Sequence, residues 1–316
     1  MRFIVTGDNH LRPDLPLCRL DEDWMATQKR HLDFIVDQAN LRDADIICTG
    51  DLFDVPRVPP EVVSLFINAM AVLIGKCYVI AGNHSLPWHK LENVDSSSVG
   101  ILKAIAKTNE KIVYLDATEY TENGRFEHTC KLEDYIPEAA GVYVTHTLTF
   151  PSTADIPFGI EGTSAYTLLE KYPDAQFIFT GDYHHNFKVE DDGRYVINPG
   201  CMNVQAADLI DYSPIIVYVD TGDAIDVSVK SDKFPVYRRT GLEMEVIPMP
   251  NNKTMLTRDH LDQKQERDER ISSFVETIMH DGQIGLSFED NLKATILATK
   301  VSQAVRDIIT EVEEEA

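Results

Sequence analysis

The sequence CTGDLFD, residues 48–54, directly follows the run ADII at residues 44–47. A buried run that stops at Gly-Asp is typical of a parallel strand that carries a carboxylate to its C-terminal end, where open α/β sheets place their chemistry. Asp51 is therefore the first candidate functional residue. Because Gly-Asp after a strand is also a common turn, other junctions of the same kind must decide its role.

Four more strand-to-polar junctions occur along the chain. Mainly apolar runs at residues 2–5, 77–80, 141–144 and 177–179 each precede polar residues that can act as ligands. These junctions add Asp8, His10, Asn83, His84, His146, Asp182 and His184. Because the carboxyl ends of parallel strands lie at one edge of a sheet, we expect these side chains to lie near Asp51.

The donor types indicate a divalent metal centre. Imidazole, carboxylate and amide oxygen together suit Mn, Fe or Zn, whereas an all-oxygen set would favour Mg or Ca. None of the five cysteines joins the set, so the pattern does not indicate a structural zinc site. The eight candidate donors exceed what one tetrahedral site takes, which favours two ions sharing a bridging carboxylate.

As an ordered set, these motifs resemble those of the calcineurin-like metallophosphoesterases. The motifs are DNH (8–10), GDLFD (50–54), GNH (82–84), His146 and GDYH (181–184). Within that superfamily, GDLFD and the serine-rich helix start after GNH most resemble the SbcD-type nuclease subunits of DNA double-strand-break repair and recombination, bacterial or bacteriophage. The resemblance covers residues 1–205 and implies an α/β fold, a four-layer α/β/β/α sandwich with a short C-terminal helical appendage.

The resemblance also implies a role for each candidate. Two divalent ions are expected, manganese in the first place and magnesium as the alternative. One ion would be held by Asp8, His10, Asp51 and His184, and the other by Asp51, Asn83, His146 and Asp182, with Asp51 bridging. His84 would face the substrate as a transition-state donor or as general acid for the leaving 3′ oxygen. His89 and His185 are given no role.

Two residues depart from the family pattern. Ser85 stands where the family usually has Asp or Glu after GNH, which removes a possible supporting carboxylate. Asp182 stands where the family has His, so this position would supply a negative charge and a harder donor. For Asp54 two roles stay open, orientation of a ligand imidazole or the cap of the following helix.

The chain is expected to divide into a catalytic domain at residues 1–250 and a helical, partner-docking region at residues 251–316. Apolar residues at helical spacing predict helices at 24–39, 61–73 and 98–107, between successive strands. After Tyr195, short alternating segments predict an antiparallel second layer.

Two surfaces are expected to bind partners. The resemblance implies a homodimer through the helices at 61–73 and 98–107, with packing inside the chain as the alternative. Helical stripes at 271–279 and 292–312 have no following strand to cover them, and the resemblance implies that they bind an SbcC-type ATPase. Their folding back on the sandwich is the alternative.

The net charge of −23 argues against a generally basic DNA-binding surface. Two divalent ions would nevertheless supply positive charge at the scissile phosphate, and a partner subunit could hold the duplex. No stretch approaches the roughly 18 apolar residues of a membrane span, and Met1 leads straight into the first strand. We therefore expect a cytoplasmic protein, in the host cytoplasm if a phage encodes it.

Three classes of function follow. The favoured one is a metal-dependent DNA exonuclease and endonuclease that hydrolyses phosphodiester bonds at DNA ends together with an SbcC-type ATPase. The alternative is a phosphomonoesterase or cyclic-nucleotide phosphodiesterase of the same superfamily, which the acidic charge would suit. A third class is a non-catalytic scaffold that organises a complex.

Overall fold

Two six-stranded sheets form the centre of the fold. The computed structural model describes residues 1–122, 125–206, 209–225, 238–250, 256–259 and 261. Its α-helices are α1 (Trp24–Arg42), α2 (Pro60–Ala71), α3 (Ser98–Ile105) and α4 (Ala165–Lys171). Its strands are β1 (Arg2–Thr6), β2 (Asp45–Cys48), β3 (Cys77–Val79), β4 (Ile112–Tyr114), β5 (Thr118–Glu122), β6 (Arg125–Lys131), β7 (Val142–His146), β8 (Thr149–Phe150), β9 (Thr163–Ser164), β10 (Phe177–Gly181), β11 (Phe187–Asp191), β12 (Arg194–Asn198), β13 (Ile215–Asp220), β14 (Asp223–Ile225), β15 (Arg238–Thr240) and β16 (Glu243–Pro248).

The first sheet has the strand order β16-β13-β1-β2-β3-β4. Strands β1 to β4 run parallel, and α1, α2 and α3 connect them in turn. Parallel neighbours bring their carboxyl ends to the same edge of the sheet. The motifs DNH, GDLFD and GNH, which follow β1, β2 and β3, therefore start side by side.

Local sequence explains where the connecting helices begin. The Asp23 side chain accepts a hydrogen bond from the Ala26 amide at the start of α1, and Ser97 accepts one from the Gly100 amide at the start of α3. Pro60 opens α2 without the loss of a helical hydrogen bond. The three helices predicted between the first strands are confirmed, with small differences at their ends.

The second sheet has the order β11-β12-β10-β7-β6-β5. Strands β7 and β10 run parallel, and His146 lies opposite Gly181 at their carboxyl ends. This sheet therefore presents His146 beside the segment that contains Asp182 and His184.

The strands after Tyr195 differ from the predicted antiparallel layer. Strand β12 runs parallel to β10 inside the second sheet, whereas β13 and β16 extend the first sheet in antiparallel pairing from β1. The reason lies in the apolar run of β13, whose four central residues are all buried, since burial on both faces favours a position inside a sheet. One of the short alternating segments after Tyr195, DVSVK at residues 226–230, lies outside the described residues.

Three apolar clusters hold the layers together. Between the sheets, Phe3, Val5 and Ile47 of the first sheet cluster with Val144 and Phe179 of the second. Two further clusters lie between the first sheet and α1 to α3, and between the second sheet and α4. Full burial of one such side chain contributes about 1.5–3 kcal/mol. The predicted four-layer α/β/β/α sandwich is confirmed.

The chain divides into two compact units, Met1–Thr257 and Arg258–Ala316. The predicted domain boundary at residue 250 stays a prediction, and the helices predicted at 271–279 and 292–312 lie outside the described residues. Among the residues that the structure describes, no helix is long and apolar enough to cross a membrane.

Candidate metal centre

The side chains predicted to bind metal converge where the two sheets present their carboxyl ends. Asp8, Asp51 and Asn83 follow β1, β2 and β3, while His146 ends β7 and Asp182 follows β10. Two groups of three side chains each place their ligand atoms within 4.8 Å of one another. The groups are Asp8, His10 and His184, and Asp8, Asp51 and His146. Asp8 thus belongs to both groups, and the bridging role assigned to Asp51 stays a prediction.

Two imidazoles face each other in the first group. The Nε2 atoms of His10 and His184 lie 3.2 Å apart, and the ring centroids are separated by 5.1 Å. Burial lowers the pKa of His184 to about 4, so this ring is neutral at pH 7 and keeps a lone pair for a ligand. Two nitrogen atoms at this distance can share a proton or bind a common cation.

His146 is the fixed member of the second group. Its Nδ1 donates a hydrogen bond of 2.9 Å to the Thr49 carbonyl, which directs Nε2 into the site. Nε2 lies 3.3 Å from Asp51 Oδ2 and 3.2 Å from Asn83 Oδ1. Within the described part of the chain, the buried Asp51 Oδ2 has no hydrogen-bond partner. The cation that balances this buried carboxylate oxygen is the protonated His146 ring or a metal ion in place of its proton.

Asp182, the residue that departs from the family pattern, faces the site. Its backbone amide lies 3.1 Å from both Asp8 carboxylate oxygens, and its Oδ1 lies 3.9 Å from His146 Nε2. His185 points elsewhere, because its ring packs 5.6 Å from that of Tyr212. The structure thus brings Asp182, and not His185, to the other candidate ligands.

The backbone is strained at four candidate ligands. The φ angles of Asp8, His10, Asp51 and Asp182 are 44°, 44°, 42° and 76°. This left-handed region costs a residue other than glycine of the order of 1 kcal/mol. Strain of this kind clusters at functional sites, where the surrounding structure holds a side chain in one required direction.

The buried charges of the site are balanced only in part. Burial raises the pKa of Asp8 to about 7. Burial would also lower the pKa of His146, but Asp51 outweighs this effect and raises the pKa to about 10. In turn, burial would raise the pKa of Asp51, whereas the facing His146 lowers it well below its usual range. In the absence of a metal, the cluster therefore lowers its net negative charge by protonating an imidazole and a carboxyl group.

Asp54 supports His10 and does not cap a helix. Its Oδ1 lies 3.4 Å from His10 Nδ1, and its Oδ2 lies 2.9 Å from Arg12 Nη1. The residue before α2 is Pro59, and no side chain caps that helix. Of the two roles left open for Asp54, the structure favours orientation of the His10 imidazole.

Ser85 links two of the loops that carry candidate ligands. Its hydroxyl donates to the Phe53 carbonyl at 3.0 Å and accepts from the Phe53 amide at 3.3 Å. The Ser85 amide lies 3.3 Å from Asp51 Oδ1. The departure from the family pattern therefore removes a carboxylate but adds a hydrogen-bonded link between the GNH and GDLFD loops.

Several supporting residues were not singled out from the sequence. Asn198 donates to the Tyr183 and His185 carbonyls, at 2.6 and 3.2 Å. Asn203 donates to the Asn9 carbonyl at 2.9 Å, and Gln205 donates to the His10 carbonyl at 2.7 Å. These side chains hold the backbone of the DNH and GDYH loops. The turn sequence NPG, residues 198–200, is a signal that could have indicated Asn198, whereas no local motif marks Asn203 or Gln205.

His84 lies on the solvent side of the site. Its side chain is exposed, and its ring packs edge-on against His10 at a centroid distance of 5.3 Å. The His84 amide donates to Asn83 Oδ1 at 2.9 Å, so the two residues point in different directions. This position suits a group that contacts a substrate better than one that binds an ion.

Comparisons with known proteins give one family match and several similar solved structures. A family model described as calcineurin-like phosphoesterase matches residues 1–186. Solved structures similar to this chain include an archaeal phosphodiesterase, with 14% identity and a TM-score of 0.39, covering 79% of this chain and 100% of that one. Vps29 of Entamoeba histolytica has 12% identity and a TM-score of 0.34, with 78% and 99% covered. A predicted phosphoesterase of Streptococcus pneumoniae has 11% identity and a TM-score of 0.34, with 78% and 97% covered. No curated protein matches the sequence significantly.

The residues present fit divalent metal ions. Oxygen and imidazole donors converge from both sheets, His146 has its Nδ1 occupied by a backbone carbonyl, and Asp51 Oδ2 is buried without a hydrogen bond. This donor set matches the chemistry of Mn and related ions. The identity of the metal and the division of the side chains between two ions stay predictions.

Metal uptake should depend on pH in one direction. His146 and Asp8, with pKa values raised to about 10 and about 7, carry protons at neutral or acidic pH that an ion must displace. We expect Mn²⁺ affinity to rise with pH through about 7, with protons released on binding. Titration calorimetry in buffers of different ionisation enthalpy measures both quantities. Uptake that is independent of pH between about 6 and 8 would contradict this account.

Asp182 should be a ligand in its own right. We expect Asp182→Ala to weaken metal binding by about tenfold or more, and Asp182→His to keep the metal while favouring softer ions. His185→Ala is the matched control and should leave metal content unchanged. Metal analysis by mass spectrometry after dialysis measures these outcomes. Unchanged stoichiometry and affinity in Asp182→Ala would remove Asp182 from the ligand set.

Proposed function

The chain belongs to the calcineurin-like phosphoesterase family of metal-dependent phosphoester hydrolases, and we propose that it is a DNA exonuclease and endonuclease with two divalent ions. In this proposal the enzyme hydrolyses phosphodiester bonds at DNA ends in repair or recombination. The choice of DNA rests on the resemblance of GDLFD and of the serine-rich helix start after GNH to the SbcD-type nucleases.

One observation carries the proposed chemistry. Seven candidate ligands from both sheets surround one place, Asp8, His10, Asp51, Asn83, His146, Asp182 and His184, and the exposed His84 lies beside it. Two ions bound by such a set would neutralise the phosphodiester and lower the pKa of a water toward neutrality. A proton donor on the solvent side of this set suits the departure of an alkoxide.

The residues of the chain have separate tasks in this mechanism. His146 Nδ1 donates to the Thr49 carbonyl, and His10 Nδ1 lies 3.4 Å from the Asp54 carboxylate, so each ring keeps Nε2 directed at the site. The water releases a proton to solvent, the resulting hydroxide attacks phosphorus in line with the leaving 3′ oxygen, and the P–O3′ bond breaks. The His84 imidazolium gives its proton to that oxygen, which leaves as the 3′ hydroxyl.

The alternative is a phosphomonoesterase or cyclic-nucleotide phosphodiesterase. The net charge of −23 favours it, because a long polyanion is repelled by an acidic surface whereas a small ester is repelled much less. Activity on labelled DNA ends compared with activity on small phosphoesters separates the two. A protein that turns over only small esters is not a nuclease.

Two proposals concern partners. A homodimer would use α2 and α3, although Val62, Val63 and Phe66 of α2 are buried inside the chain. The exposed Ile101 of α3 is left for such a contact. Light scattering that finds only a monomer would argue against the dimer.

The resemblance also supplies the proposed metal ion, manganese, and the second proposed partner, an SbcC-type ATPase.

Substitutions should separate metal binding from proton transfer. We expect Asp51→Ala to lose both metal and activity, because its buried carboxylate is grouped with Asp8 and His146 and is the proposed bridging ligand. His84→Ala should keep the metal and lose about 10²- to 10⁴-fold in kcat. The assay uses end-labelled duplex DNA in Mn²⁺ and in Mg²⁺, with EDTA as control. A His84→Ala protein that has lost its metal, or that cleaves at the wild-type rate, would refute this division of tasks.

The C-terminal region should be needed for binding the ATPase. Deletion of residues 260–316 should leave metal binding and weak nuclease activity intact and abolish ATP-dependent processive degradation. Co-purification of the two proteins and degradation assays with and without ATP measure this. A truncated protein that binds the ATPase at full affinity, or that fails to fold, would show the assignment to be wrong.

A further inference from the structure

The loop that follows the GNH motif holds a tryptophan in solvent. Leu86 is fully buried, but Trp88, two residues later, is 80% exposed. Trp88 and His89 have φ angles of 52° and 59°, so two consecutive residues lie in the left-handed region. For a bulky side chain this conformation is a genuine outlier. The loop therefore adopts a costly conformation that leaves a large aromatic surface uncovered.

Hydrogen bonds fix this loop to a candidate metal ligand. His89 Nδ1 donates to the Asn83 carbonyl at 2.8 Å, and the His89 amide donates to the Leu86 carbonyl at 3.0 Å. From the far side of the loop, Asn93 donates to the Pro87 carbonyl at 3.2 Å. Because Asn83 Oδ1 itself lies 3.2 Å from His146 Nε2, the loop is attached directly to the metal centre.

A row of rings leads from the site to this loop. The His10 and His84 centroids are 5.3 Å apart, and those of His84 and His89 are 6.2 Å apart. Trp88 directly precedes His89 in the chain. If the phosphate of a nucleotide chain lies beside His84, the neighbouring bases lie close to this loop.

We propose that Trp88 is a positioning residue that stacks on a nucleobase next to the scissile phosphate. This proposal rests on the proposed nuclease function. Aromatic side chains bind single-stranded nucleic acid by stacking, and this binding tolerates any base because every base has a π face. It also needs no basic surface, which suits a chain with a net charge of −23. Trp88 thus fits a substrate class of frayed or single-stranded DNA ends.

Kinetics of a truncated side chain test the proposal. We expect Trp88→Ala to raise KM for a single-stranded oligonucleotide by about 5- to 150-fold. Its kcat should stay within about twofold. Trp88→Phe should restore part of the affinity. The effect should shrink on an oligonucleotide with an abasic residue beside the cleaved bond. Tyr166→Ala, which removes an exposed aromatic from α4, is the matched control and should leave KM unchanged.

Fluorescence provides a readout that does not depend on cleavage. The chain has two tryptophans, and Trp24 is 4% exposed, so Trp24→Phe isolates the signal of Trp88. A single-stranded oligonucleotide should quench that signal in a His84→Ala background, while the abasic oligonucleotide should quench it less. Binding is followed in parallel by the anisotropy of the labelled oligonucleotide.

The outcomes separate this proposal from the function on which it rests. If the oligonucleotide binds and is cleaved but neither quenches Trp88 nor changes KM in Trp88→Ala, stacking is refuted and the nuclease stands. If DNA neither binds nor is cleaved while small phosphoesters are hydrolysed, the nuclease function fails and stacking fails with it. If light scattering shows that Trp88→Ala converts a dimer to a monomer, Trp88 is an interface residue and the proposal is overturned.

Discussion

The structure depends on the cost of burying carboxylates close together. Asp8 and Asp51 are almost completely buried, and Asp182 reaches the same place from the second sheet. Their mutual repulsion raises the free energy of the folded state unless positive charge compensates it. Protonated imidazoles do this in part, since the pKa of His146 is raised to about 10, and divalent ions would do it more fully. The folded site is therefore stable only when protons or metal ions compensate the charge of its carboxylates.

The two sheets hold the candidate ligands in fixed positions around the place where cations would bind. Both sheets end at the same place, so each ligand is the first polar side chain after a buried strand or stands within a few residues of it. The left-handed backbone at Asp8 and Asp51 directs their carboxylates into the site. The Asn203 and Gln205 side chains donate to backbone carbonyls of the DNH loop and so fix its position. These contacts come from segments far apart in sequence, so the placement of the ligands depends on the folded sandwich as a whole.

The sequence predicted the parts of the site that depend on local pattern. Asp51 and His146 could be predicted because the first follows a buried strand and the second ends one, and the four layers followed from the family resemblance. The position of β13 was missed, since its partner β1 lies at the other end of the domain in sequence and pairing register is a tertiary property. The role of Asp54 depended on where α2 begins, and the exposure of Trp88 depends on a loop conformation that no periodic pattern encodes.

The central claim, that these carboxylates and imidazoles hold two divalent ions, is tested most directly by anomalous diffraction from crystals soaked in Mn²⁺. We expect two anomalous peaks about 3.5–4 Å apart. One should lie against His10 and His184 and the other against His146 and Asn83, with a carboxylate between them. A single peak, or peaks bound elsewhere on the acidic surface while this cluster stays empty, would contradict the claim.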